Sequence, residues 1–165
     1  MNLSSIIPFG ALKRVFAAVL FAAAMTTSTV ATAENEKYAS IVVDVKSGQV
    51  LHDRFADSPR YPASITKVMT LYMVFDALDS GKLTLEEELP VSVEASRAQP
   101  SKLGLAPGST ITVEDAILAL VTKSANDVAV VVAERLGGSE SRFGALMTVK
   151  ARSLGMENTR FYNAH

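Results

Sequence analysis

The run "DVAVVVAERL", residues 127–136, sets the tightest limit on what this chain can fold into. Only valine and alanine occupy 128–133, so a helix here has no wet face until Glu134 and Arg135. A helix that is apolar all round has to be buried. Other elements must therefore be layered around it, and Gly137-Gly138 marks where it stops.

The flanking sequence supplies those elements. "TVEDAILALVT" is an apolar helical run in which Thr112 and Asp115 resemble a capping box. "KSAN" then interrupts before the buried helix starts. Residues 140–154 form an amphipathic helix with Phe143, Leu146, Met147, Lys150 and Leu154 on related faces and Gly155 ending it. Residues 63–79 predict another, with Val68, Leu71, Tyr72, Phe75 and Leu78 at helical spacing and Gly81 as its stop.

Before these helices, residues 40–45 are β-branched and apolar, 46–49 form a turn, and 50–55 return, which predicts a β-hairpin. Pro59 and Pro62 close off strand structure. Residues 83–110 carry Pro90, Pro100, Pro107 and Gly108 and read as a long excursion with short elements at most. Loops of this length in a compact domain are often functional. "MENTRFYNAH" reads as a turn into new structure, so the chain is expected to be the N-terminal part of a larger domain. A hairpin that cannot complete a sheet leaves its apolar face uncovered and such a piece poorly stable alone.

The first 33 residues belong to a different physical category. Lys13 and Arg14 precede an apolar run over 15–25 that is too short to span a bilayer, followed by Ala31-Thr32-Ala33. This is the pattern of a secretory signal peptide cut after Ala33, leaving 34–165 as the mature part. An uncleaved anchor or a buried N-terminal helix is the alternative. Export places any substrate outside the cytoplasm.

Composition then removes several classes of chemistry. The net charge is −1 with both signs scattered, so no basic field exists for nucleic acid. There is no cysteine to act as nucleophile, metal ligand or disulfide partner. His52 and His165 are the only histidines, which gives a Ser-His-Asp triad or a histidine-rich metal site little to draw on. Nucleophilic catalysis would need another base, and no cofactor is implied.

"PASITKVMTLY" offers one. Ser64 and Lys67, at i and i+3, lie one turn apart on one helix face. A serine hydroxyl is a poor nucleophile until a neighbour takes its proton, and lysine does so only when neutral. A nearby helix N-terminus and apolar surroundings both disfavour an ammonium. The plain alternative is a helix cap and a solvated lysine. In "TKSANDVA", Ser124-Ala125-Asn126 sits between two helices, where a break would turn a hydroxyl and an amide into a cleft; the alternative there is that Ser124 or Asn126 caps the following helix.

Ser-x-x-Lys followed by Ser-x-Asn is the pairing found in β-lactamases and penicillin-binding proteins, together with Lys-Thr-Gly. With their flanks, "VVDVKSGQVLHDRFADSPRYPASITKVMTLY", "KLGLAPGSTITVEDAILALVTKSANDVAVVVAE" and "LGMENTRFYNAH" resemble the exported D-alanyl-D-alanine carboxypeptidases, the low-molecular-weight penicillin-binding proteins of peptidase family S11. The resemblance covers nearly everything after Ala33.

It implies an α/β fold of the serine β-lactamase and penicillin-binding-protein kind: an antiparallel sheet flanked by helices plus a helical subdomain, cut here before the later sheet strands. It implies that Ser64 attacks the bond between the terminal D-alanines of a peptidoglycan stem peptide, with Lys67 taking the proton. Ser124 would relay a proton to the departing D-alanine, and Asn126 would bind the acyl-side amide and help hold Lys67. β-Lactams would trap Ser64. The backbone N–H of Ser64 would be one oxyanion donor; the other, and the carboxylate site, belong to a Lys-Thr-Gly strand that these residues lack. The expected location is the periplasm or cell envelope, with peripheral membrane association through a C-terminal segment as a further feature of relatives.

Two rivals are weighed against it. In a class A β-lactamase a glutamate activates the deacylating water, and that family places an asparagine four residues after it. Glu157 is the one candidate, but Phe161 stands at that place, and Ala125 replaces the aspartate of Ser-Asp-Asn. A non-catalytic peptidoglycan-binding protein is the second. Lys123 reads as a surface lysine, Glu86-Glu87-Glu88 as a solvated turn, Tyr61, Tyr72 and Phe75 as packing, and His52 as an exposed strand residue.

Overall fold

The computed structural model describes residues 37–165, and the predicted signal peptide lies outside them. The described residues divide into two compact units, 37–56 and Asp57–His165.

In the first unit, β1 (Ser40–Val43) pairs antiparallel with β2 (Val50–Arg54), as the β-branched apolar run before a Lys-Ser-Gly-Gln turn and the returning segment after it predict. Ser40 faces Arg54 and Val42 faces His52, and the register shifts between Val42 and Val43. The turn is held by Asp44, whose carboxylate accepts from Ser47 N and Oγ at 2.7 and 2.6 Å. Those two bonds draw the Asp44 carboxyl below its ordinary pKa, the Ser47 hydroxyl being the larger cause. Gly48 takes the left-handed conformation that the turn requires (φ +73°). Ile41, Val42, Val43, Val50 and Leu51 are exposed. His52 is an exposed strand residue, as expected.

The second unit begins with a 3₁₀ turn, Ala63–Ile65, which leads into α1 (Thr66–Asp79). Then follow β3 (Glu88–Pro90), α2 (Val93–Ser96), β4 (Thr110–Thr112), α3 (Val113–Thr122), α4 (Asn126–Gly137) and α5 (Glu140–Ser153). α4 is the predicted buried helix: α1, α2, α3, α5 and β3 all pack on it. Its residues Val128, Ala129, Val130, Val131, Val132 and Ala133 are 0–3% exposed. Each valine buried in this way contributes roughly 1.5 to 3 kcal/mol.

Local sequence sets the helix ends. After α1, Lys82 N donates to Ala77 O at 2.8 Å and Gly81 N to Leu78 O at 3.0 Å, a Schellman closure with Gly81 at φ +68°. α5 closes in the same way through Gly155 and Met156. Thr112 Oγ1 accepts from Asp115 N at 3.1 Å at the start of α3, which is the predicted cap. Ser139 caps α5 by accepting from Arg142 N.

Two expectations need correction. The α1 face chosen from spacing is largely the outer one: Val68, Tyr72 and Phe75 are exposed, while Lys67, Met69, Thr70, Val74 and Ala77 are buried. α1 is apolar round most of its circumference, so periodicity cannot choose a side. The small residues Thr70, Val74 and Ala77 permit a closer approach to the neighbouring helices than the aromatic ones. On α5, Leu146 and Leu154 are likewise exposed and Phe143, Gly144, Met147 and Ala151 are buried. The 83–110 excursion holds only short elements, as expected, and its strand Glu88–Pro90 pairs with the residues just after it, Glu88, Leu89 and Pro90 standing opposite Thr112, Ile111 and Thr110.

The segment after α5 runs back across the helices. Phe161 N donates to Thr148 Oγ1 at 2.9 Å, and Ala164 N and His165 Nδ1 both meet Glu140 Oε1, at 3.2 and 2.9 Å. Ala164 is fully buried. The close approach depends on Gly144, where a Cβ would stand 2.7 Å from the Tyr162 carbonyl carbon.

Candidate active site

Ser64 lies in the middle of the 3₁₀ turn and is exposed; Ala63 before it has φ +49°. Neither the 3₁₀ turn nor α1 has a side-chain cap, so Ser64 does not serve as one. Lys67, one turn further on, is only 3% exposed. Both halves of the plain alternative, a cap and a solvated lysine, therefore fail. Burial strips water from the Lys67 amine and pushes its pKa down from the ordinary lysine value.

Ser124 stands between α3 and α4 with φ +55°, a conformation that strains a residue with a Cβ and collects at functional sites. Ala125, extended and fully buried, is the residue preceding α4, and no side chain caps that helix. Capping by Ser124 or Asn126 is thus also excluded. Asn126 instead reaches back to the preceding loop: its Nδ2 donates to Gln99 O at 2.9 Å, with Pro100 O at 3.4 Å, and its backbone N donates to Ser101 O at 2.7 Å. Ser101 Oγ returns a bond to Lys123 O at 2.9 Å.

All four predicted residues fall in the second unit. α1, which carries Lys67, packs on both α3 and α4, the helices that flank Ser124. Among the described residues no hydrogen bond links Ser64 or Lys67 to Ser124 or Asn126.

Asp127 is the polar residue that the sequence reading passed over. It is fully buried, and its two oxygens accept from Leu103 N, Gly104 N, Leu105 N and its own neighbour Val128 N at 2.8 to 3.1 Å. The available signal was a carboxylate opening a helix that must be buried, which demands donors from elsewhere in the chain.

The remaining candidates have ordinary surroundings. Lys123 is exposed, and Glu87 pairs with Arg135 at 2.6 Å. Among the described residues no group of three or more His, Cys, Asp or Glu could hold a metal ion. Tyr61, Tyr72 and Phe75, read as packing, are exposed. An apolar seam lined by Val74, Leu89, Val113 and Val132 shares no residue with the four candidates.

Comparison with known proteins places the chain in a family. The model for D-alanyl-D-alanine carboxypeptidase, peptidase family S11, covers residues 25–165. The chain is 33% identical over 129 residues to the Bacillus subtilis D-alanyl-D-alanine carboxypeptidase DacF, covering 78% of this chain and 33% of that protein. It superposes on the crystal structure of D-alanyl-D-alanine carboxypeptidase DacD from Francisella tularensis with a TM-score of 0.75 and 31% identity, over 79% of this chain and 32% of that one. Penicillin-binding protein D2 from Listeria monocytogenes in its ampicillin-bound form gives a TM-score of 0.63 at 32% identity, over 78% of this chain and 51% of that one.

The fold is therefore that of the serine β-lactamase and penicillin-binding-protein class, in part. Within that class, the chain belongs to the D-alanyl-D-alanine carboxypeptidase family, peptidase family S11. It spans about a third of the length of the curated relatives it matches.

Proposed function

We propose that the full-length protein carrying this chain is a serine-type D-Ala-D-Ala carboxypeptidase acting on peptidoglycan stem peptides. The observation that carries the reading is an exposed Ser64 hydroxyl one helical turn ahead of a buried Lys67 whose charged form is disfavoured. In this reading Lys67 Nζ takes the Ser64 proton as Oγ adds to the carbonyl carbon between the two terminal D-alanines. The C–N bond breaks, Ser124 passes a proton to the departing D-alanine nitrogen, and an ester on Ser64 remains. Water then releases the shortened peptide.

Asn126 binds the acyl-side amide. Its Nδ2 donates to Gln99 O at 2.9 Å and to Pro100 O at 3.4 Å, and in this reading the longer bond is the one given up to the substrate. Ser64 N–H serves as one oxyanion donor. β-Lactams, as mimics of the dipeptide end, acylate the same oxygen. With the leader over 1–33, residues 34–165 form the N-terminal part of an exported, cell-envelope catalytic domain, to which a membrane-associating C-terminal segment would be compatible.

Labelling the full-length protein with fluorescent penicillin, then mapping the modified peptide, tests this. A stable adduct on Ser64 is the expected result. Rapid loss of label would identify a β-lactamase, and no label a peptidoglycan-binding protein without catalysis.

A further inference from the structure

The segment Gln99, Pro100, Ser101, Lys102, Leu103, Gly104, Leu105 lies against the turn that carries Ser124 and Asn126, and it is gripped at both ends. At one end Asn126 donates to Gln99 O, Pro100 O and Ser101 O, while Ser101 Oγ holds Lys123 O. At the other, Asp127 takes three successive backbone N–H groups, those of Leu103, Gly104 and Leu105. Asp127 makes no ion pair among the described residues, so its buried carboxylate depends on these donors and Val128 N.

We infer that Asp127 is a positioning residue for the Ser124-Ala125-Asn126 turn, acting by locking the 99–105 segment on which the Asn126 amide is oriented. The two carbonyls of Gln99 and Pro100 can meet only a donor, which fixes Nδ2 on the segment and leaves Oδ1 for other partners. If the segment drifts, the amide loses that reference and Lys123 O, next to the strained Ser124, loses its bond from Ser101 Oγ. This role rests on the acyl-enzyme reading given above.

An amide cannot replace the carboxylate. Oδ1 accepts from Leu103 and Val128 and Oδ2 from Gly104 and Leu105, so either orientation of an asparagine sets its NH₂ against two donors. The test uses the full-length protein with Asp127→Asn and with Ser101→Ala, which removes only the tie to Lys123 O at an exposed residue. Helical circular dichroism, amide hydrogen exchange and the penicillin acylation rate per folded molecule are measured together.

For Asp127→Asn we expect retained helix signal, lost protection at Leu103, Gly104 and Leu105, and acylation slowed by about 10- to 100-fold, as misplacement of a reacting constellation by an ångström does. Ser101→Ala should slow acylation less, in the same direction, and it decides the matter alone if Asp127→Asn does not fold. Released amides with acylation at the parent rate overturn the inference, as does Ser101→Ala at the parent rate in that case. A parent protein that takes no label defeats the acyl-enzyme reading instead, and the positioning role falls with it.

Discussion

The Thr70 hydroxyl donates to the carbonyl of Ala164 over 2.7 Å, joining two fully buried residues 94 positions apart. Thr70 is one turn beyond Lys67 on α1, so this bond ties the helix that carries the amine to the far end of the described chain. Replacing it by the isosteric Thr70→Val leaves the Ala164 carbonyl buried without a donor. The expected cost is about 1 to 3 kcal/mol, read from urea unfolding of the full-length protein, and an unchanged midpoint and slope would show that the bond contributes nothing.

Lys67 gives a pH signature. Burial lowers its folded pKa below the ordinary 10.5, so the fraction of neutral amine rises earlier than for a free lysine. Acylation of Ser64 should climb with pH and reach half its maximum below 10.5. The stability effect has the same sign: between the lowered folded value and 10.5 the unfolded chain binds more protons, so the penalty for burying the ammonium is relieved as pH rises through that window. Penicillin labelling across a pH series checks the first effect; a half-maximum at or above 10.5 contradicts it. Lys67→Ala should abolish labelling at every pH with the helices intact.

Glu140 works on the acid side. The His165 hydrogen bond chiefly holds its carboxyl below the usual value of 4.5, against an opposing effect of burial, with Ala164 N adding to the lowering. A depressed carboxyl contributes stability that is present above 4.5 and lost as pH falls through the folded value. Glu140→Gln should therefore flatten the fall in stability between neutrality and acid. Unfolding free energies compared in that range decide it, and parallel curves for the two proteins would count against the pair.

Gly144 is argued from space alone. A methyl group there would meet the Tyr162 backbone at 2.7 to 2.9 Å, and backbone cannot give way as a flexible side chain can. Gly144→Ala should cost about 1 to 3 kcal/mol by overpacking. It should also speed amide exchange at Phe161 and Ala164, whose N–H groups bond to Thr148 and Glu140. Normal exchange at both would mean that the segment is not seated through Gly144.

What the sequence disclosed followed physical strength. The 127–136 helix, the hairpin turn, and the stops at Gly81, Gly138 and Gly155 were legible because apolar runs and left-handed glycines allow few alternatives. The Ser64–Lys67 spacing was legible as local geometry, and the structure adds the burial of the amine that the spacing only suggested. The faces of α1 and α5 were not legible, since both helices carry large apolar residues on the side left exposed. Nor was the β3–β4 pairing, because three-residue strands separated by 19 residues have no periodicity to detect. Asp127 was overlooked for the same reason: its partners lie 22 to 24 residues away and are backbone groups, which leave no side-chain pattern.

That grip also dictates where the chain tolerates a change of length. Three consecutive amides converge on two oxygens, so adding or deleting one residue between Asn126's contact at Gln99 and the last of those amides at Leu105 would put a different amide at every station. The turn at Pro107 and Gly108 is tied in a similar way, Gly108 N donating to Val91 O and Val91 N to Ser109 O, both at 2.8 Å, so a residue added there breaks pairing as well. Homologous chains of different size should accordingly keep the interval from 99 to 105 fixed.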